Sequence, residues 1–335
     1  QMIAIGTSKG GYLIDESLAI QAALFPGWKV TAWSATDGGG LIAALASNWF
    51  GASLQRSLDR REWTPITSGP TYPSGRDLNQ IWTIAGAGDR MYAGVDEAGL
   101  FSSEDGGDTW GEVAPLNDWP TRDQWMPGLG GLCVHHVLTH GERVVVGISA
   151  VGVFVSDDGG SSFTKRDEGV TSIAGDGADI EAGRCVHSIV AHERDPDLIW
   201  RQDHSGVYRT RDGGRQWSRI ESGRPSTVGF PIGRDRSSDR LFIVTMESDE
   251  NRVSAEGLVR VFTSDDGGDS WRVSGTGWDE SPSYDTVLRN AMATDGGGTV
   301  VVGTTGGNLW ITRDAGDGWH RADIQLPRIL SIEII

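Results

Sequence analysis

Ser264-Asp-Asp-Gly-Gly-Asp-Ser-Trp271 decides the fold, because the chain says it again and again. The pattern is Ser or Thr, any residue, Asp, any residue, Gly, two more residues and an aromatic. It returns at 103–110, 156–163, 210–217 and 312–319, and a worn copy has Ser57, Asp59 and Trp63, with Arg61 where Gly belongs. The copies start at 57, 103, 156, 210, 264 and 312, so they are separated by 46, 53, 54, 54 and 48 residues. A period of this size means a propeller, a solenoid or an array.

Around each copy the chain reads as short β-branched and aromatic runs joined by Gly, Asp and Ser turns. In the third unit the runs are 131–140, 143–149, 152–156 and 163–166; in the fourth they are 184–192, 198–202, 206–210 and 216–221. Four antiparallel strands per unit make a propeller blade, with strands A to D running from the centre outward. Six full units span 30–66, 77–116, 128–167, 182–221, 226–275 and 284–323. The remaining pieces complete a seventh blade. Residues 2–28, whose Thr7-Ser-Lys-Gly-Gly-Tyr-Leu13 matches Thr304-Thr-Gly-Gly-Asn-Leu-Trp310, supply strands B to D, and 329–335 supply strand A. The expectation is therefore an all-β, seven-bladed β-propeller occupying 1–335 as one domain.

Composition agrees. The 48 glycines are spread through turns, and the 14 tryptophans outnumber the 5 tyrosines and 8 phenylalanines. A net charge of −17 argues against nucleic acid or an anionic membrane as partner, since both need a basic face. No run approaches the roughly 20 apolar residues of a membrane span. The first strand, Met2-Ile-Ala-Ile-Gly-Thr7, has no basic-then-apolar leader ahead of it, and Cys133 and Cys185 are too few for a disulfide framework. A reducing, cytoplasmic setting follows.

The repeated turn has a structural explanation at the C–D hairpin. Its Gly takes positive φ, its Asp accepts backbone N–H bonds, and its aromatic covers the turn. Because strand direction alternates, all these turns share one face, and the B–C turns and D–A connections share the other. The second face is where the turns differ from one another, so a site is expected there. Its B–C turns carry Trp49, Glu97, Gln202, Asp203, His204, Glu247 and Lys9; its long connections, 117–130, 167–183 and 276–285, carry Trp125 and Tyr284.

The inner strands of units three and four open with near-identical text, Gly131-Leu-Cys-Val-His135 and Gly183-Arg-Cys-Val-His187. Equivalent positions on adjacent inner strands place His135 and His187 side by side, with His204 arriving from the turn. Beside Asp203 and Glu247 these imidazoles suit acid–base work or a divalent metal held by His135, His187 and His204. The alternative is that they hydrogen-bond neighbouring blades. The two cysteines are read as small buried hydrophobes that alternate with the histidines. Arg289 on the sixth inner strand needs a carboxylate, either Glu247 or an acidic ligand.

The repeated motif resembles the Asp-box, or BNR repeat, of sialidases, sortilin-type receptors, xyloglucanases and a photosystem II assembly factor. With Gly6-Thr-Ser-Lys-Gly10, Trp125-Met-Pro-Gly-Leu-Gly-Gly-Leu-Cys133, Gln202-Asp-His-Ser-Gly-Val-Tyr-Arg209 and Val287-Leu-Arg-Asn-Ala-Met292, the chain is similar to bacterial sialidase-like, "glycosyl hydrolase" propellers. That resemblance implies a hydrolase-like or lyase-like enzyme acting on a small polar or acidic molecule, glycoside-like in type. The sialidase Phe/Tyr-Arg-Ile-Pro motif is absent; Gly229-Phe-Pro-Ile232 lacks the Arg. In the enzyme reading His135, His187, His204, Asp203, Glu247 and Tyr284 act on a small-molecule ligand held by Trp49, Trp125, Arg289, Gln202, Glu97 and Lys9. The second reading is a non-catalytic propeller that binds a ligand or protein partner at the same rim.

Overall fold

A computed structural model describes residues 1–73, 75–172 and 182–335. Among them the chain is all-β apart from a four-residue helix, Ala114–Asn117, and three single-turn 3-10 segments. Among the described residues no helix is long and apolar enough to cross a membrane.

Five of the sheets have four antiparallel strands, and a sixth has eight. The eight-stranded sheet is two four-stranded meanders touching at a single parallel pair, Asn290 with Ser331. One meander runs from Val287–Thr294 to His320–Arg321. The other has Ile329–Ile334 paired antiparallel with Ile3–Thr7, followed by Gly10–Ile14 and Ile20–Leu24. Chain start and chain end are thus stitched together, and the amides of Met2 and Ile335 exchange 2.8 Å bonds beyond the strand ends.

The first strand of each unit touches that of the next, in the order Lys29–Ala35, Ile81–Ala87, Val134–His140, Ser188–His192, Gly229–Arg234, Val287–Thr294, Ile329–Ile334 and back to Lys29–Ala35. The contacts close into a ring around a channel. Second strands such as Arg143–Ile148 and Val300–Thr304 are buried along nearly their whole length, because a neighbouring sheet covers each face. Their sequences are accordingly unbroken apolar runs rather than alternating ones. Outermost strands are only two or three residues long in these units and mostly exposed, which keeps the free edge short.

Close approach of adjacent sheets explains particular glycines. A Cβ on Gly94, Gly147 or Gly303 would come within 2.5, 2.6 and 2.5 Å of Val134, Val186 and Ile329, the β-branched residue of the next inner strand. In the fourth unit the sizes are exchanged: Gln202 stands at the second-strand position and Gly229 opposite it. Gln202 is therefore an inter-sheet filler, fully buried, with Nε2 donating to Val244 O at 3.4 Å. It does not line the channel mouth as a ligand contact.

The repeated turns are built alike. In the turn at Ser264 the hydroxyl donates to Asp266 Oδ1 (2.7 Å) and accepts from the Gly268 amide (2.8 Å). Asp266 also accepts from the Ser270 amide (2.9 Å) and hydroxyl (2.6 Å). The same bonds recur around Asp105 and Asp158. The aromatic does more than cover its own turn. Amides of Trp110, Trp217, Trp271 and Trp319 donate to Ser68, Glu168, Ser222 and Thr276 of the preceding unit, at 2.8–3.1 Å. These four copies therefore each tie two sheets together.

Hydrogen bonds from threonine or serine hydroxyls and from amides hold the carboxyls of Asp105, Asp158 and Asp266 at about 2. A depressed folded-state value contributes stability above the unfolded value near 3.8 that disappears as pH falls towards 2. Asp266→Asn is expected to lower Tm by several degrees at pH 7, with the gap to wild type closing between pH 4 and pH 2 in thermal melts followed by circular dichroism.

Candidate functional site

A cross-link divides the channel. Asn290 Nδ2 donates to Trp82 O at 2.6 Å, joining inner strands that are not neighbours in the ring. Trp82, Arg289 and Asn290 line the cavities on both sides of it.

On the side away from the repeated turns lie two cavities that share Gly130, Arg252 and Arg289. The first, about 310 Å³, is lined by Lys29, Arg252, Arg289 and Arg328 with Ser8 and Gln80, and among the described residues by no carboxylate. The second, about 390 Å³, is lined by Leu129, Cys185, His187, His204, Asp249, Arg252 and Arg289. A chain of net charge −17 thus concentrates four cations at one channel mouth.

Arg289 is the centre of this mouth. It is 8% exposed, and among the described residues it makes no hydrogen bond or ion pair. Its Cζ lies 4.1 Å from the centre of the Phe230 ring, a cation–π contact that supplies no anion. Burial pulls its value down to about 10, so it stays charged at neutral pH. Gly130 closes over it; a Cβ there would meet Nη2 at 3.0 Å. Glu247 does not serve Arg289: it is exposed and accepts from the Glu256 amide at 2.7 Å.

His135 and His187 occupy equivalent positions, as their sequences imply. Each Nδ1–H donates to the inner strand of the next unit, His135 to Val186 O (3.0 Å) and His187 to Gly229 O (2.7 Å). Phe230 is the next in this series, which ends the hydrogen bonds and places an aromatic face under Arg289. Burial, then the Arg289 charge, keeps both imidazoles well below their usual value and neutral. The two differ in surroundings. His135 packs on Trp82, its Nε2 unpartnered, and does not border the mouth cavities. His187 faces His204, ring centres 5.4 Å apart, inside the second cavity.

Other expected site residues are placed differently. Asp203 is buried, pairs with Arg201 at 3.1 Å and accepts from Ser205 and Gly206, so all its capacity is used in shaping the turn. Trp125 packs on Phe154 beneath Arg122 and belongs to the core, not the rim. Glu97 and Lys9 are exposed and outside the cavities, although Ser8 beside Lys9 lines one. Trp49 and Tyr284 are rim residues, 90% and 70% exposed. Phe50, Met126 and Leu129 on the same face are also largely exposed. Part of the 167–183 connection lies outside the described residues.

Lys29, Asp249, Arg252 and Arg328 escaped the sequence reading. A signal existed for two of them. Second and third strands of the fifth unit end and begin at Thr245 and Val261, against Ile148 and Gly152 in the third, so an insertion there carries Asp249 and Arg252. Cys185 was also misread: two residues from His187 it shares that residue's side rather than alternating with it, and it lines the same cavity.

Beneath this site sits a buried triad. Arg201, with no exposed surface, donates from Nη1 to Asp167 Oδ1 (2.9 Å) and from Nη2 to Asp203 Oδ2 (3.1 Å), and lies over the Trp217 ring. It anchors the turn that presents His204. Across the cross-link, a third cavity of about 220 Å³ contains His136, Ser188 and Glu333. Burial alone raises Glu333 to about 7.

No family model and no curated protein matches the chain. Solved structures do. The chain is similar to YCF48 bound to D1 peptide, with TM-score 0.59 and 12% identity over 96% of this chain and 85% of that one. YCF48 from Cyanidioschyzon merolae gives 0.57 and 11% over 88% and 85%. The WD40 β-propeller domain of Doa1 gives 0.55 and 13% over 90% and 84%. An ancestral GH74 enzyme gives 0.58 and 16%, covering 88% of this chain and 38% of that one. At these identities the likeness establishes the fold, a β-propeller, which both catalytic and non-catalytic proteins share.

Two stability measurements test this site. Arg201→Ala leaves two buried carboxylates unpaired and should cost about 3–5 kcal/mol in urea unfolding. Glu333 binds its proton more tightly folded than unfolded, so its contribution falls as pH rises from 4.5 to 7. Glu333→Gln should therefore stabilise the protein at pH 8 relative to wild type and leave it unchanged at pH 4.

Proposed function

We propose that this chain is a single-domain, seven-bladed Asp-box propeller whose channel mouth receives a carboxylate-bearing segment of a partner peptide or protein. The blade count takes the eight-stranded sheet as two blades sharing one bridge. The observation that carries the function is Arg289: among the described residues it has no anion, a buried guanidinium in that state is costly to keep, and a ligand carboxylate removes that cost. Lys29, Arg252 and Arg328 add attraction at the same mouth. The exposed rim of Trp49, Phe50, Met126, Leu129 and Tyr284 suits a chain segment with apolar residues better than a small isolated acid. A fold relative bound to a peptide is consistent with this use.

An enzyme acting on a small acidic, glycoside-like molecule is the second reading, and His187 beside His204 in the cavity is what favours it. Asp203 and Glu247, the carboxylates that reading calls on, are occupied by the backbone and by Arg201, and the carboxylate beside the pair is Asp249, 3.6 Å from His204.

Fluorescence anisotropy with a labelled Asp/Glu-rich peptide and its Asn/Gln counterpart tests the proposal. Binding should favour the acidic peptide and weaken with salt. Arg289→Gln should reduce affinity roughly 30-fold or more, and Arg252→Gln roughly tenfold or less. Arg289→Met should raise Tm while abolishing binding, since removing an unpaired buried charge relieves the folded state. Equal affinity for the two peptides would refute the receptor reading. Turnover of a carboxylate substrate, lost in His204→Gln with binding retained, would favour the enzyme.

A further inference from the structure

The second mouth cavity contains a donor set that the acidic-ligand reading does not use. One ligand atom each from Cys185, His187 and His204 lies within 4.8 Å of the others, close enough for one ion to bridge all three. Among the described residues this is the one group of three His, Cys or acidic donors so arranged.

We propose that Cys185, His187 and His204 form a binding site for a thiophilic divalent ion of the zinc class. Three features beyond proximity support it. First, His187 Nδ1–H is committed to Gly229 O at 2.7 Å, so Nε2 carries the lone pair and the ring cannot swing. A backbone carbonyl holding the second nitrogen is the usual way a metal-binding imidazole is oriented. Second, His204 Nδ1 lies 3.6 Å from Asp249 Oδ2, which leaves its Nε2 to coordinate and supplies an outer carboxylate. Third, Cys185 Sγ meets the Ser149 hydroxyl at 3.6 Å, a weak contact that a metal bond would replace. Thiolate with two imidazoles selects zinc, cobalt or copper over magnesium and calcium.

All three donors border the 390 Å³ cavity, so a tetrahedral ion keeps its fourth position open to it. Water or a ligand carboxylate would complete the shell, with Arg289 beside it. Loading is balanced by release of one proton, from the Cys185 thiol to solvent. The ligand set differs from three histidines: His135 is turned to Trp82 and Val186, and Cys185 takes its place. The site does not depend on the acidic-ligand proposal.

Titration of the purified full chain with cobalt(II), read by absorption, and elemental analysis after zinc loading and dialysis test this site. About one equivalent of either metal is expected, with a thiolate-to-cobalt charge-transfer band and tetrahedral visible bands. Cys185→Ser should lose the charge-transfer band, and His204→Gln, which alters a partly buried side chain at the cavity wall, should drop retained metal to trace at unchanged Tm. His135→Gln and Arg289→Gln should each retain a full equivalent, the latter even where acidic-peptide binding is lost. Only trace metal in folded wild type would overturn the proposal, as would a charge-transfer band surviving in Cys185→Ser or metal retained by His204→Gln.

Discussion

Ring closure is the constraint on which everything else rests. A four-stranded twisted sheet on its own exposes both faces and two edges. Packed between two neighbours it buries both faces, but only if the series returns to its start. Pairing of Ile329–Ile334 with Ile3–Thr7 supplies that return by backbone hydrogen bonds, which depend on register rather than on side-chain identity. The glycine-to-valine contacts at Gly94, Gly147 and Gly303 set how closely adjacent sheets approach. The aromatic amides of four repeated turns, Trp110, Trp217, Trp271 and Trp319, then each fasten a sheet to the one before it.

The ring has two unlike ends. At the end with the repeated turns, polar groups are consumed by one another: hydroxyls, amides and aspartates form local loops, and Arg143 and Arg240 bridge neighbouring units through Asp157, Asp197, Asp265 and Asp317. At the other end polar groups are left over. Among the described residues Arg289 has no anion, and the Cys185, His187 and His204 donors converge within 4.8 Å of one another. Buried polar groups that a fold leaves unpaired are where a ligand gains most, because the cost of their desolvation is already part of the folded state.

Some of this was legible in the residues. The six turns counted the units, strand alternation separated the two faces, and the matching of Thr7–Leu13 with Thr304–Trp310 anticipated how the ends meet. The pairing of His135 with His187 as equivalent positions was also readable, and so was the place of Arg289 on the sixth inner strand. Asp203, Trp125 and Gln202 went astray because each is polar or aromatic in a turn or connection, and composition does not reveal a partner elsewhere. Arg201 claims Asp203, Phe154 claims Trp125, and Gly229 makes room for Gln202.

What the sequence determined by itself is therefore periodic: strand order, turn chemistry, and which end of the ring is free to vary. Those follow from local rules repeated along the chain. What only the tertiary structure decided is convergence. Lys29, Arg252, Arg289 and Arg328 are scattered over 300 residues, and Cys185 meets His204 across a strand and its turn. A ring brings such positions to one mouth through the angle between successive sheets, a quantity that sequence spacing does not carry.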